Sequence, residues 1–213
     1  GVQTCALPIF GIVRLATHKL SGASVAIKMY DKSKFRSDRK MIRQLREECD
    51  YMHLMNHPNV TRLFETFSTQ RRLYMVMEYV PGGSLIQHMR TEYPGKAMPE
   101  REAWRLFLPL FQGLEHIHQH KVVHRDIKLD NILLDKSASI LKFTDFGFST
   151  KLKDPEQDRL RMFCGTPAYM APEIIRGGSY RGYPVDMWAM GIVLYAVVCG
   201  RFPFMAKHER SLY

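Results

Sequence analysis

The chain of 213 residues is 46% hydrophobic and 24% charged, the composition of an ordinary globular protein that is long enough to bury a core. Its net charge of +10 raises the question of nucleic acid or an anionic surface as a partner. Seven basic residues lie between positions 32 and 46, where we interpret them as a solvated helix face and the loop before it. No interleaving of arginine with aromatic residues marks an RNA-binding module, so we expect no nucleic-acid partner.

The four cysteines, Cys5, Cys49, Cys164 and Cys199, include no CxxC pair. The sequence therefore predicts neither a disulfide framework nor a zinc site. This cysteine usage indicates a reducing compartment, and hence a cytoplasmic or nuclear location. The longest apolar run, residues 187–199, is shorter than the ~18 residues that suggest a membrane span, so we expect no membrane partner.

The first predicted elements are a strand at residues 25–30, rich in β-branched residues, and a helix at residues 38–55. The helix has an apolar stripe formed by Met41, Leu45, Met52 and Met55. Glu48 falls in the gap of this stripe, whereas Glu47 points about 100° away from it. Because a carboxylate on a buried face needs a partner, we predict a buried ion pair for Glu48.

Residues 73–80 form a predicted strand that ends at the turn Pro81-Gly82-Gly83, after which Ser84 is a candidate N-cap for a short helix. A longer helix is predicted from Pro99, with Pro109 expected to kink it. Its apolar residues at helical spacing are Ala103, Leu106, Phe107, Leu110, Leu114 and Ile117.

Short strands and loops are predicted over residues 121–148, a short helix at 172–175 and a buried helix at 185–199. Strands with one helix, followed mostly by helices, predict an α+β fold. The Pro81-Gly82-Gly83 turn is the predicted hinge between a small sheet-rich lobe and a helical lobe. Asp186 opens the last helix, and a charge in so apolar a segment should be paired.

Three histidines occupy every second position near the end of the helix that begins at Pro99: His116, His118 and His120. They could form a metal site or simply mark the end of the helix. On a helix, residues i and i+2 point in different directions, which favours the helix end.

Three motifs follow one another in the second half of the chain: His124-Arg125-Asp126-Ile127-Lys128-Leu129-Asp130-Asn131, then Asp145-Phe146-Gly147, then Ala171-Pro172-Glu173. In this order and spacing they resemble the eukaryotic protein kinase signature. The resemblance implies a two-lobed kinase fold, with one lobe at residues 10–80 and the other at residues 81–213, incomplete at both ends. Among kinases, the motifs are most similar to the calcium/calmodulin- and AMP-kinase-related group.

The resemblance also implies a site for ATP. Lys28 matches the strand lysine that holds the phosphates, and Glu48 matches its partner on the following helix. Met77 matches the gatekeeper, and Glu78 and Val80 belong to the hinge segment whose backbone bonds adenine. The residues that match those sandwiching the adenine ring are Val13, Ala26 and Leu133. The expected hydrophobic stack that joins the lobes consists of Met52, Leu63, His124 and Phe146.

The catalytic residues implied by the resemblance lie on the first motif and after the second. Asp126 matches the base that orients the substrate hydroxyl, and Asn131 and Asp145 match the two Mg²⁺ ligands. Lys128 and Thr166 are similar to the residues that accompany this base in Ser/Thr kinases. The implied activity is ATP-dependent phosphorylation of serine or threonine on a protein substrate.

The sequence departs from the family pattern at the glycine-rich phosphate loop, of which only Phe10-Gly11-Ile12-Val13 is recognisable. We interpret residues 1–9 as a non-native segment, with a truly degenerate loop as the alternative. Intact Lys28, Asp126, Asn131 and Asp145 favour an enzyme. The absent loop favours the alternative function, a pseudokinase or truncated scaffold that binds partners without catalysis.

The activation segment also departs from the pattern, because residues 151–165 contain no Ser, Thr or Tyr and Met162 occupies the usual phosphosite. Arg125, which would normally receive the phosphate, is present. The sequence leaves two possibilities open: an acidic residue such as Asp158 docks on Arg125, or packing of Met162 and Phe163 orders the segment. Ser84 replaces an acidic residue with which related kinases read a substrate arginine, while Asp130 survives as one acidic contact.

Overall fold

The computed structural model describes residues 11–35 and 38–205 of the chain. A four-stranded antiparallel sheet forms its first part, with the strand order β1-β2-β4-β3. The elements are β1 (Ile12–Thr17), β2 (Ser24–Asp31), α1 (Arg39–Leu54), β3 (Leu63–Ser68) and β4 (Arg72–Glu78). Helix α1 contacts β3, and its apolar face joins the hydrophobic core.

The rest of the described chain is mainly helical, which confirms the predicted α+β class. Its helices are α2 (Leu85–Glu92), α3 (Glu100–Gln119), α4 (Pro172–Ile175) and α5 (Gly182–Cys199). Four short strands form two antiparallel pairs: β5 (Val122–Val123) with β8 (Thr150–Lys151), and β6 (Ile132–Leu134) with β7 (Leu141–Phe143). The predicted non-native segment, residues 1–9, and Phe10 lie outside the described residues.

Helix α1 forms where the apolar stripe predicted it. The carboxylate of Asp38 caps its start by accepting the Met41 N–H at 3.0 Å, and the helix ends at Leu54, with Met55 as the C-cap. Leu45, Glu48 and Met52 are buried on the side that faces the core. The face of α1 that carries Glu48 is therefore fixed by the burial of its apolar neighbours.

Asn59, in the segment between α1 and β3, ties the sheet-rich part to the helical part. Its side-chain amide donates to Leu141 O at 2.7 Å, and its own carbonyl accepts the Phe143 N–H at 2.8 Å. On α3, Gly113 lies so close that a Cβ there would be 2.8 Å from the Cβ of Asn59. These contacts fix the segment that follows α1 against α3 and β7.

Helix α3 begins directly after Pro99 and continues through Pro109 without a break. Its buried face carries the six predicted apolar residues and Gly113. The predicted interlobe stack is also buried: Met52, Leu63 and Phe146 belong to one core cluster, and the His124 ring lies 5.0 Å from the Phe146 ring, centroid to centroid. The core is thus continuous from the sheet to the helices.

Helix α5 begins at Gly182, three residues before the predicted start, so the prediction was wrong at this end. Pro184 lacks an N–H, but the first turn of a helix leaves its N–H groups unpaired in any case, so proline fits there. By length and composition α5 could cross a membrane, and the core helix of a globular protein passes the same test. Half of its apolar window is buried in the fold.

Candidate active site

A cleft of about 400 Å³ opens between the four-stranded sheet and the helical part. The residues predicted to contact nucleotide or metal all lie in its lining: Val13, Ala26, Lys28, Glu48, Met77, Glu78, Val80, Asn131, Leu133 and Asp145. Strand pairing brings Ala26 of β2 opposite Met77 of β4. The cleft therefore gathers residues from both halves of the sequence into one cavity.

Lys28 lies at the centre of a group of charges that is buried at Glu48 and open at Asp145, whose side chain is 39% exposed. Its Nζ is 2.7 Å from Glu48 Oε1 and 2.8 Å from Asp145 Oδ1. The predicted ion pair of Glu48 is thus present. Glu47 lies on the exposed side of α1, where Arg43 is its partner at 3.5 Å. Tyr30 also donates its hydroxyl to Glu48 Oε2 at 2.9 Å, a contact that the sequence analysis missed although Tyr30 and Lys28 share one face of β2.

The charges of this group shift the pKa values of two members. Burial alone would lower the pKa of Lys28, but Glu48 and then Asp145 outweigh it, so this pKa stands well above its usual value of 10.5. Burial alone would raise the pKa of Asp145, but the Lys28 ammonium outweighs it, so this pKa lies below its usual 3.8. Both groups are therefore charged at neutral pH.

These shifts predict how the Lys28 pair contributes to stability across the pH range. The contribution of Asp145 should be present above its unfolded pKa of 3.8 and lost as the pH falls through its lowered folded pKa. The contribution of the Lys28 charge to stability should be present below its unfolded pKa of 10.5. It should be lost only as the pH rises through the raised pKa of Lys28 in the folded state. We expect the melting temperatures of the wild type and Lys28→Met to differ near neutral pH, and the difference to shrink as the pH falls through the lowered pKa of Asp145. A difference that stays constant across that range would contradict the assignment.

Asp126 lies in the loop between β5 and β6, where three side chains bind its carboxylate. Thr166 donates its hydroxyl to Asp126 Oδ1 at 2.9 Å, and Lys128 Nζ lies 2.8 Å from Oδ2. Asn131 Nδ2 donates to the same Oδ2 and to the Asp126 carbonyl, both at 2.9 Å. Lys128 also donates to the Thr166 hydroxyl at 3.0 Å. The structure therefore brings the three predicted catalytic residues, Asp126, Lys128 and Thr166, into direct contact.

The carboxylate of Asp186, on α5, holds the backbone of this loop. Its Oδ2 accepts the His124 N–H at 2.8 Å, and its Oδ1 accepts the Arg125 N–H at 2.8 Å. The Nε2 atom of His118 lies 2.9 Å from Oδ2. The predicted pairing of this buried charge is confirmed. Because Arg125 has a φ of 63°, an unfavourable conformation for a side-chain-bearing residue, the loop depends on such external anchors.

The three histidines at the end of α3 contact protein groups. His118 pairs with Asp186, and His120 Nδ1 lies 2.9 Å from the carbonyl of its own helix neighbour His116. Burial, followed by His120 and His57, lowers the pKa of His116. Across residues 11–35 and 38–205, no group of three or more His, Cys, Asp or Glu side chains could hold a metal ion. Helix α3 ends at Gln119 with His120 as its C-cap, so the three histidines do lie at the helix end.

Arg125 contacts Met162 where a phosphate was expected in the family pattern. Its Nη1 lies 3.8 Å from Met162 Sδ, and the Tyr180 hydroxyl donates to the Met162 carbonyl at 2.7 Å. Asp158 lies elsewhere: its carboxylate accepts two backbone N–H groups of its own turn, from Lys153 at 2.6 Å and Asp154 at 3.0 Å. Docking of Asp158 on Arg125 is thus not observed, and Met162 lies against Arg125 instead.

Gln44 is a further residue of the site that the sequence analysis missed. Its Nε2 donates to the carbonyl of Gly147 at 2.6 Å, and its side chain lines the cleft. Gln44 lies one helical turn before Glu48, so the same periodicity that singled out Glu48 places both on one face of α1. The partner of Gln44 is 103 residues away in the sequence, and no local pattern indicates it.

A comparison with known protein families agrees with this geometry. The profile of the protein kinase domain matches residues 9–213, which is nearly the whole chain.

Proposed function

The chain belongs to the protein kinase family, and from this premise we propose that it transfers the γ-phosphate of Mg-ATP to serine or threonine of protein substrates. Family membership supports protein phosphorylation as the activity. The observation that carries the finer proposal is the contact of the Thr166 hydroxyl with both Asp126 and Lys128. We further propose a place for the chain in the calcium/calmodulin- and AMP-kinase-related group, on the strength of its motifs.

The residues of the cleft fit ATP and Mg²⁺. Mg²⁺ takes most of its ligands from water and phosphate and needs only one or two protein oxygens. The amide nitrogen of Asn131 is engaged with Asp126, which leaves its Oδ1 as an acceptor for a cation. Asp145 directly follows Thr144, whose N–H donates to the Asn131 carbonyl at 3.0 Å, so the two metal-ligand candidates are neighbours. Bound Mg²⁺ would neutralise the charge that develops on the transferred phosphate.

The side chains of the chain then have separate tasks. Lys28, held by Glu48, provides a fixed positive charge for phosphate oxygens. Asp126 accepts the hydrogen bond of the substrate hydroxyl and orients it, while Lys128 and Thr166 hold the Asp126 carboxylate in place. The apolar side chains of Val13, Ala26 and Leu133 form the walls for a flat aromatic base. Positioning and electrostatics, with little covalent chemistry, account for the reaction.

Cysteine usage supports a proposed location in the cytoplasm or nucleus, where ATP is abundant. Cys49 and Cys164 are buried, and the thiol of Cys199 is exposed and free. A free exposed thiol is typical of a reducing compartment.

The specificity for serine and threonine gives a direct prediction. Lys128 and Thr166, which are similar to the residues that accompany the base in Ser/Thr kinases, both contact Asp126, so we expect serine or threonine as the acceptor. Incubation of the chain with radiolabelled ATP, Mg²⁺ and a degenerate library of peptides containing serine, threonine and tyrosine should yield phosphoserine or phosphothreonine on acid hydrolysis. A product that is mainly phosphotyrosine would overturn the assignment of specificity but not that of family.

A further inference from the structure

The three consecutive carbonyls that follow Phe146 are each bound by a side chain from a remote part of the sequence. Gln44 Nε2 donates to Gly147 O at 2.6 Å. Arg125 donates from Nε to Phe148 O at 2.7 Å and from Nη2 to Ser149 O at 3.3 Å. We call these three bonds the carbonyl clamp. It holds one short stretch of backbone from two sides, by α1 and by the loop that carries Asp126.

The clamp acts on a strained part of the backbone. Asp145 has a φ of 64°, in the left-handed region, which residues with a side chain adopt uncommonly, although aspartate does so more readily than most. Its carboxylate accepts the Lys28 ammonium at 2.8 Å and, more weakly, the Gly147 N–H at 3.4 Å. The orientation of Asp145 therefore depends on where Gly147 is held.

Helix α1 reaches this turn with two side chains, one helical turn apart. Glu48 holds Lys28, which holds the Asp145 carboxylate, and Gln44 holds the Gly147 carbonyl. Lys28 thus fixes the side chain of Asp145, while Gln44 fixes the backbone two residues on. The amide of Gln44 needs no charge for this contact and no covalent modification.

We propose that Gln44 is a positioning residue that ties helix α1 to the Asp145–Gly147 turn and so keeps the Asp145 carboxylate aimed into the cleft. The proposal rests on the proposed phosphoryl transfer, for which Asp145 is a metal ligand. The contact of Gln44 also needs no phosphate, which fits the absence of a hydroxyl group from residues 151–165.

The test compares three variants of the chain. Gln44→Met keeps the length of the side chain but has no N–H donor, and Gln44→Lys keeps a donor of similar reach. Gln112→Met makes the same change at an exposed position of α3 and serves as the matched control. Amide hydrogen exchange of residues 146–149 reports on the clamp and needs no activity, while kcat and the KM for ATP report on catalysis.

We expect faster exchange at residues 146–149 in Gln44→Met, because the N–H groups of Gly147 and Ser149 bond within the held turn. We also expect kcat to fall by roughly ten- to a hundredfold, the size of effect that follows a misplacement of about 1 Å, with little change in the KM for ATP. Gln44→Lys should restore most of the slow exchange at residues 146–149 and most of kcat. Gln112→Met should behave as the wild type.

Two results would overturn the inference. Unchanged exchange in Gln44→Met would show that Gln44 does not hold the turn, whether or not the chain transfers phosphate. Faster exchange together with an unchanged kcat would show a structural contact without a positioning role. A wild-type chain in which residues 146–149 exchange more slowly than in Gln44→Met, but which transfers no phosphate, would contradict the proposed function instead. Failure of the inference and failure of the proposed function are therefore distinguishable.

Discussion

Asp126→Asn is expected to lower phosphoryl transfer by roughly 10²–10⁴-fold, the range that a positioned general base contributes. The amide has the shape of the carboxylate but cannot accept a proton from the substrate hydroxyl. The surrounding contacts can survive, because the Thr166 hydroxyl, which now donates to Asp126, can instead accept from an amide. We therefore expect a folded protein whose melting temperature lies within a few degrees of the wild type. Initial rates of ATP-dependent peptide phosphorylation, with circular dichroism melts, measure both quantities.

Asp50→Asn is the matched control, because Asp50 is an exposed carboxylate on α1. It should leave the rate unchanged. Near-normal turnover of Asp126→Asn would show that another group orients the hydroxyl. A wild-type chain that binds Mg-ATP, but turns over no faster than Asp126→Asn, would instead support the alternative function of a non-catalytic scaffold.

Two features of the site could be predicted from local patterns, whereas its other residues were implied by the resemblance of the motifs to the kinase signature. Glu48 was singled out by the stripe of Met41, Leu45 and Met52, and burial of that face is what fixes the helix in the structure. The charge of Asp186 in an apolar segment predicted a partner for the same reason: a buried charge is costly unless it is bound. In both cases a single physical requirement, burial, acts on residues that are close in sequence.

Strands β1 and β3 could not be predicted, because burial does not impose a pattern on their residues. Among the described strands, β1 and β3 lie at the two edges of the sheet, and the side chains of β1, and of β3 after Leu63, are mostly exposed. Their side chains show no alternation of buried and exposed positions for a pattern search to find. The start of α5 was predicted three residues late for a different reason: the apolar run begins after Gly182-Tyr183-Pro184, but a first helical turn accepts proline.

The other features of the site that could not be predicted are contacts between residues that are far apart in the sequence. Gln44, Tyr30 and Arg125 bind partners that only the folded chain brings near: Gly147 O, Glu48 and the carbonyls of Phe148 and Ser149. Each donor is an ordinary polar residue in its own segment. Their roles follow from the packing of α1 and the Asp126 loop around the cleft, which the sequence pattern does not specify.

Asp186→Ala is expected to cause the largest loss of stability among the changes considered. The carboxylate is 1% exposed, and its removal leaves the N–H groups of His124 and Arg125 and the ring of His118 without their acceptor. Each buried donor left unsatisfied costs about 1–3 kcal/mol, so the free energy of unfolding should fall by at least about 3 kcal/mol. For a domain of this size, that corresponds to a decrease in melting temperature of roughly 6–12 °C, measurable by calorimetry.

The variant His118→Phe distinguishes the two roles of Asp186, which binds the N–H groups of His124 and Arg125 and also contacts the His118 ring. The phenyl ring can keep the stacking on Tyr183, whose ring centroid lies 4.2 Å from that of His118, and only the Nε2 contact to Asp186 is lost. We expect a loss of no more than about 1–2 kcal/mol, since both backbone N–H groups remain bound. An equal loss in the two variants would mean that the His118 contact, and not the anchoring of the Arg125 backbone, is the main role of Asp186. If the anchor dominates, Asp186→Ala should also release the strained φ of Arg125, displace the neighbouring Asp126 and lower kcat, whereas His118→Phe should leave kcat nearly unchanged.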